Sequence, residues 1–167
     1  MSAKGWVLHQ AGLELLDDRL RELRPDVALE CGSGASTPIL HARVRHAISL
    51  EHLPEWAART AATLPTSPTG ELRLCPLTDV DTPLGPLPFY ATTLPDQIGF
   101  VLIDGPPGAI GRAGTLFALW PHLADDAVVW LDDAERRAER VAVDAWREHL
   151  GVNVTRVDAR LVELTRA

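Results

Sequence analysis

Val27-Ala28-Leu29-Glu30-Cys31-Gly32-Ser33-Gly34-Ala35-Ser36-Thr37 is the stretch on which the reading of this chain turns. It opens as a short apolar run, Val27 to Cys31, the mark of a strand buried on both faces. It then breaks into a turn with two glycines, and Ser36 and Thr37 stand where they can cap a following helix. Parallel α/β sheets bind ligands at the carboxyl ends of their strands, near the point where strand order reverses. Gly32 and Gly34 let the backbone pass close to such a ligand. Glu30 is expected to face the same crevice, where a carboxylate suits a cationic amine better than a pyrophosphate. Thr37 occupies the place of the third glycine of G-x-G-x-x-G, which weakens a dinucleotide reading.

Outward from this stretch, apolar runs alternate with segments of helical period, as in an α/β fold with a mainly parallel sheet. A helix spans roughly His9 to Leu23, with Leu13, Leu16, Leu20 and Leu23 at helical spacing, and Pro25-Asp26 end it. The second strand is Ala47 to Leu50, and a helix runs from Pro54 to about Leu64. A turn is expected from Pro65 to Gly70, and a third strand from Leu72 to Cys75. The proline-rich stretch from Pro76 to Asp96 reads as a long irregular loop, a length usually functional or mobile. A fourth strand covers Phe100 to Ile103, a helix Leu116 to Leu123, and a fifth strand Ala127 to Leu131. Ala134 to Leu150 is predicted as a helix with Val141, Ala142, Ala145, Trp146 and His149 on or near one face, stopped by Gly151. Val152 to Val157 and Leu161 to Leu164 are joined too tightly for a crossover and must pair antiparallel. The predicted architecture is a three-layer α/β/α domain over residues 1–167. Its sheet has seven strands, mostly parallel, with a C-terminal antiparallel hairpin. Residues 1–25 form an N-terminal helix region, and 76–96 are a candidate substrate loop.

The chain has 167 residues, a net charge of −7, 46% apolar and 23% charged residues. That is the balance of an ordinary soluble domain large enough for its own core. Its acidity and lack of a basic stripe argue against a nucleic-acid partner, whose binding rests on neutralising phosphates. Lys4 is the sole lysine, and the abundance of Arg, Ala and Pro hints at a GC-rich bacterial genome. No secretory signal or membrane span is expected, so the reading is cytoplasmic. Cys31 and Cys75 read as small buried hydrophobes rather than a disulfide. The sequence leaves oligomeric state open, a homodimer included.

Three further strand ends carry carboxylates. Glu51 closes the second strand about 20 residues beyond Glu30, where an acidic side chain can take a ribose hydroxyl pair. It can equally be a surface glutamate favoured by the next helix's dipole. Asp104-Gly105-Pro106-Pro107-Gly108 follows the fourth strand as a stiff turn, and Asp132-Asp133 follows the fifth. Asp104, Asp132 and Asp133 can converge on one point, as hard divalent cations require, or simply cap helices and form turns.

In order, these motifs resemble those of class I S-adenosylmethionine-dependent methyltransferases. The nearest likeness is to the small bacterial branch with a Gly-Ser-Gly-x-Ser-Thr loop and an Asp-Gly-Pro-Pro-Gly turn. The likeness spans nearly the whole chain and implies a Rossmann-like methyltransferase fold with S-adenosylmethionine as cofactor. It implies that Glu30, Gly32 and Gly34 hold the methionine part, with Ser36 and Thr37 beside it. Glu51 would take the ribose hydroxyls, His52 and Leu53 flank the adenine, and Thr78 and Asp79 lie near its amino group. Asp104 would line the reaction centre. Metal-dependent O-methyltransferases of this class bind magnesium at the places held here by Asp104, Asp132 and Asp133. Such relatives usually carry a lid, for which this chain offers only its N-terminal helix and the 76–96 loop.

The expected reaction is methyl transfer to an oxygen or nitrogen of a small-molecule acceptor. Asp104 serves as base or metal ligand, with Asp132 and Arg112 as the next catalytic candidates. Arg112 pairs either with an anionic substrate group or with a carboxylate. Tyr90 is either a pocket wall or a packed aromatic. Two alternatives stand beside this reading. One is a non-catalytic methyltransferase-like domain that binds cofactor or a partner. The other is an NAD-dependent oxidoreductase, which Glu51 fits and Glu30 does not.

Overall fold

The computed structural model describes residues 8–66 and 70–167. Half of the turn expected at Pro65 to Gly70 falls on 67–69, outside the described residues, as do Lys4 and the extreme N-terminus. Among the described residues, five α-helices and nine strands follow one another. Helix α1 is Gln10–Leu23, β1 Val27–Cys31, α2 Thr37–Arg43, β2 His46–Glu51, α3 Pro54–Ala61 and β3 Glu71–Leu74. Strands β4 (Leu77–Thr82) and β5 (Gly85–Tyr90) precede β6 (Ile98–Ile103), α4 (Ala113–Leu119), β7 (Leu123–Leu131), α5 (Arg137–Leu150), β8 (Val152–Arg156) and β9 (Val162–Arg166).

The seven-stranded sheet runs β3-β2-β1-β6-β7-β9-β8. Its first five strands are parallel, β9 lies antiparallel to β7, and β8 pairs antiparallel with β9. Order therefore reverses between β1 and β6, which places the ligand-binding crevice of such folds at the ends of these two strands.

Alternation along the strands divides the core. Leu29 and Cys31 of β1 and Val101 and Ile103 of β6 face the side covered by Leu116, Leu119, Ala142 and Trp146 of α4 and α5. Ala28, Phe100 and Leu102 face the other side, under Leu16 and Leu20 of α1 and Leu40 of α2. Both cysteines are free and buried.

The 76–96 stretch departs from expectation. It is mostly an antiparallel ribbon, with Leu77 opposite Tyr90 and Thr82 opposite Gly85. Pro86 and Pro88 conceal it in the sequence, because proline breaks most strands and is tolerated only where no ladder hydrogen bond is lost. The helix expected at Leu116 to Leu123 instead covers Ala113–Leu119, and Leu123 already begins β7 after a 3-10 turn at Trp120–His122. On α5 the buried face is Glu139, Ala142 and Trp146, while Val141 is 58% exposed. No helix among the described residues is long and apolar enough to cross a membrane.

Candidate functional site

The strand ends stand in one row. The Gly32 amide donates to the Leu50 carbonyl (2.9 Å), the Asp104 amide to Cys31 (2.9 Å), and the Asp132 amide to Ile103 (3.0 Å). These bonds extend the parallel ladders by one residue and set Glu51, Gly32, Asp104 and Asp132 side by side at the carboxyl edge. The turns after β1 and β6 touch. A Cβ at Gly32 would lie 2.9 Å from the Gly105 amide nitrogen, and one at Gly105 2.8 Å from Gly32 Cα and 2.6 Å from the Tyr90 hydroxyl. Gly32 also has φ 88°, a conformation only glycine adopts without strain.

Glu51 is buried at the crevice wall. Its Oε1 accepts the amides of His52 (2.8 Å) and Leu53 (2.9 Å), and its Oε2 accepts the amide and hydroxyl of Ser33, each at 3.1 Å. The Ser33 hydroxyl is also 3.1 Å from Thr60 Oγ1. Its single proton can therefore turn to Thr60 and release one acceptor position on Glu51. The crevice is also walled by Gly32, Ser33, Leu53, Trp56 and Tyr90, and its cavity is only about 40 Å³. The Trp56 indole, which sequence reasoning missed, lies over the loop with Nε1 donating to the Ser33 carbonyl. An aromatic five residues beyond Glu51 is the one signal that could have drawn attention to it. The Tyr90 hydroxyl, 2% exposed as a residue, has no partner among the described residues. Burial raises its pKa well above the ordinary value, so it remains a phenol and a donor.

Glu30 does not face the crevice. It shares the strand face of Ala28, which points beneath α2, and it has no exposed surface. Its oxygens accept the hydroxyls of Ser36 and Thr37, the latter at 2.7 Å. Burial raises its pKa, partly offset by these bonds and by Ser49. Neither Ser36 nor Thr37 caps α2 as expected: the N-cap Ser36 makes no side-chain cap bond. Thr37 Oγ1 instead accepts the Gly34 amide (2.9 Å). The three residues brace the loop from behind.

Thr78 and Asp79 are likewise displaced. They are exposed on β4, opposite Phe89 and Pro88, and are not in the crevice wall. The chain turns into the ribbon directly after β3 and carries them away. His52 and Leu53 do line the crevice.

Asp104, Asp132 and Asp133 converge: one oxygen from each lies within 4.8 Å of the others. Arg112, read in the sequence as pairing with substrate or a carboxylate, is buried among them. Its Nε donates to the Pro106 carbonyl (3.1 Å), Nη1 to the Asp132 carbonyl (2.8 Å), and Nη2 to the Asp104 carbonyl (2.7 Å). Nη2 also lies 3.3 Å from the carboxylates of Asp104 and Asp133. Arg136 pairs with Asp133 at 2.7 Å, and Arg160 with both Asp132 and Asp133. Three guanidiniums thus fill the positions around the triad that a cation would need. Asp132 Oδ1 is the triad's one fully buried oxygen without a partner among the described residues, and each of the three carboxylates already meets a guanidinium, which opposes a magnesium ion among them. The residues do not fit the divalent ion considered from the sequence. Burial pushes Asp104 well above the usual carboxylate range; Arg112 opposes this, and Asp132 and Asp133 reinforce it.

Beyond Asp104 and Pro107 the crevice gives onto a cavity of about 400 Å³, lined also by Gly108, Arg112, Asp133 and Glu139. Glu139 escaped sequence reasoning because a glutamate in a helix's first turn is ordinary.

No family model matches the chain, and no curated protein matches its sequence. Solved structures match its fold. The Podospora anserina methyltransferase PaMTH1, bound to SAH, has TM-score 0.73 at 14% identity, over 100% of this chain and 82% of its own. Precorrin-6y C5,15-methyltransferase from Geobacter metallireducens has TM-score 0.68 at 16% identity, covering 100% of this chain and 94% of its own. An O-methyltransferase from Bacillus cereus in complex with SAH has TM-score 0.68 at 11% identity, over 97% and 84%. The chain has the Rossmann-like fold of class I methyltransferases.

Proposed function

We propose that this chain is an S-adenosylmethionine-dependent methyltransferase acting on an oxygen or nitrogen of a small-molecule acceptor. The observation that carries the reading is the Gly32–Gly105 contact at the strand switch point, flanked by Glu51 on one side and Asp104 on the other. The residues fit the cofactor: a cradle that any Cβ would fill, a carboxylate for a hydroxyl pair, and a buried phenol with an unused donor. S-adenosylmethionine would supply an electrophilic methyl group on a sulfonium.

Gly32 and Gly34 bring the loop backbone against the methionine portion, and Ser36, Thr37 and Glu30 fix that loop from behind. Glu51 takes the ribose hydroxyls once Ser33 turns to Thr60, and His52 and Leu53 border the adenine. Asp104 stands where crevice and larger cavity meet. Its raised proton affinity lets it receive the acceptor's proton as the oxygen or nitrogen attacks, and Arg112 orients it. Asp132 and Asp133 hold the arginines and contact no reacting atom. No metal takes part in these steps.

Titration calorimetry with S-adenosylhomocysteine and NAD tests the reading. S-adenosylhomocysteine should bind and NAD should not. Glu51→Ala should weaken S-adenosylhomocysteine by tenfold or more, as for a hydrogen-bonded charged acceptor worth about 1.5–3 kcal/mol. Binding of NAD alone would overturn the assignment.

A further inference from the structure

Glu139 is 2% exposed, and its Oε2 has no hydrogen-bond partner among the described residues. It is the third residue of α5, where a glutamate ordinarily reaches back to the N-cap amide. That amide, of Arg136, is already donated to the Asp133 carbonyl (2.9 Å). The nearest cation is Arg112 Nε at 3.9 Å, and that nitrogen donates to Pro106. A buried carboxylate left so poorly satisfied is costly, and folds retain such groups where something else completes them.

The side chain borders open space. It lines the cavity of about 400 Å³, and a Cβ added to Gly108 across that space would lie 3.5 Å from Glu139 Oε1. Three carboxylates border the cavity, Asp104, Asp133 and Glu139, against two guanidiniums, Arg112 and Arg136. Arg112 is anchored by the carbonyls of Pro106, Asp132 and Asp104 and by the carboxylates of Asp104 and Asp133. Arg136 is held by Asp133. Pro107, Ala109 and Ala138 supply apolar wall. The space has a buried carboxylate that no guanidinium pairs closely, an unsatisfied acceptor, and a shared border with the crevice at Asp104 and Pro107.

We propose that this cavity is the acceptor pocket and that it selects acceptors carrying a cationic amino or amidine group, received by Glu139. The word acceptor rests on the methyltransferase reading; the recognition of a cation by Glu139 does not.

Saturation-transfer NMR tests it, with benzylamine and benzamidine as cationic probes and benzoate and phenylacetate as anionic ones. Spectra are taken with and without S-adenosylhomocysteine, and calorimetry on the same sample reports cofactor binding separately. The cations should bind at millimolar concentration and the anions should not. Glu139→Gln should weaken the cations at least tenfold while leaving S-adenosylhomocysteine affinity unchanged, and Glu139→Asp, which keeps the charge, should retain most of it. The proposal is overturned if anions bind in preference, if no cation binds, or if Glu139→Gln and wild type bind cations alike. Loss of S-adenosylhomocysteine binding alone would strike the methyltransferase reading and leave the Glu139 result standing.

Discussion

Gly32 and Gly105 meet backbone to backbone, so closely that a methyl group on Gly105 would lie 2.8 Å from Gly32 Cα. The contact joins the turns after β1 and β6, so it fixes the separation of loop and Asp104. Gly105→Ala must push the turns apart and should destabilise the fold by about 1–3 kcal/mol, as overpacking does. S-adenosylhomocysteine affinity should fall with it. Denaturant unfolding and calorimetry check both, and an unaltered Cm would count against the contact as a constraint.

Trp56 closes a crevice far smaller than the several hundred Å³ that a nucleoside-sized ligand needs. Binding must therefore swing the indole off the Ser33 carbonyl. In a chain whose other tryptophans are replaced by phenylalanine, S-adenosylhomocysteine should shift and quench or enhance Trp56 emission. Trp56→Ala should bind at least as tightly as wild type. A silent emission, or a large loss of affinity on truncation, would show that the indole does not gate the crevice.

Arg112 holds three backbone carbonyls and the acidic triad together. Arg112→Met leaves buried carboxylates without their partner and should cost about 3–5 kcal/mol. Because guanidiniums occupy the triad, methyl transfer should proceed equally in the presence of a strong chelator. Turnover that collapses on chelation and returns with magnesium would reverse this conclusion.

Stability should also depend on His41. Its ring lies 3.1 Å from Ser49 Oγ, and burial lowers its pKa below the ordinary 6.5. The unfolded chain thus takes up the proton first as pH falls. The contribution of neutral His41 is whole above pH 6.5 and is lost progressively below it, down to the folded-state pKa. The difference in Tm between wild type and His41→Gln should shrink as pH drops through that window. A constant difference would mean that His41 does not titrate against folding.

The sequence made the parallel sheet legible because buried strands such as Val27–Cys31, apolar but for Glu30, and 100–103 of β6 are short apolar runs closed by glycine or aspartate. The terminal hairpin was equally plain, its connection being too short for a crossover. Ribbon β4–β5 was hidden because prolines at 86 and 88 erase the strand pattern. At the site, Gly32, Glu51 and Asp104 could be placed at strand ends from the sequence, whereas His52 and Leu53 were expected beside them only through the family resemblance. Glu30 was misplaced by one face, since side chains alternate along a strand and the run is apolar on both sides. Arg112 and Glu139 gave too little, because neither burial nor the absence of a partner can be read from residue type.

Ribbon β4–β5 ends in a turn where Leu84 is 47% exposed and a Cβ on Gly85 would meet nothing within 4 Å. The turn lies at the far end of the two-stranded sheet from Tyr90, the ribbon residue that walls the crevice. Chain can be inserted there at little cost to the core. The tip is thus the natural graft point of the molecule: a fluorescent reporter, an affinity handle or a docking module placed between Thr82 and Gly85 would ride outside the domain and leave the seven-stranded sheet beneath it untouched.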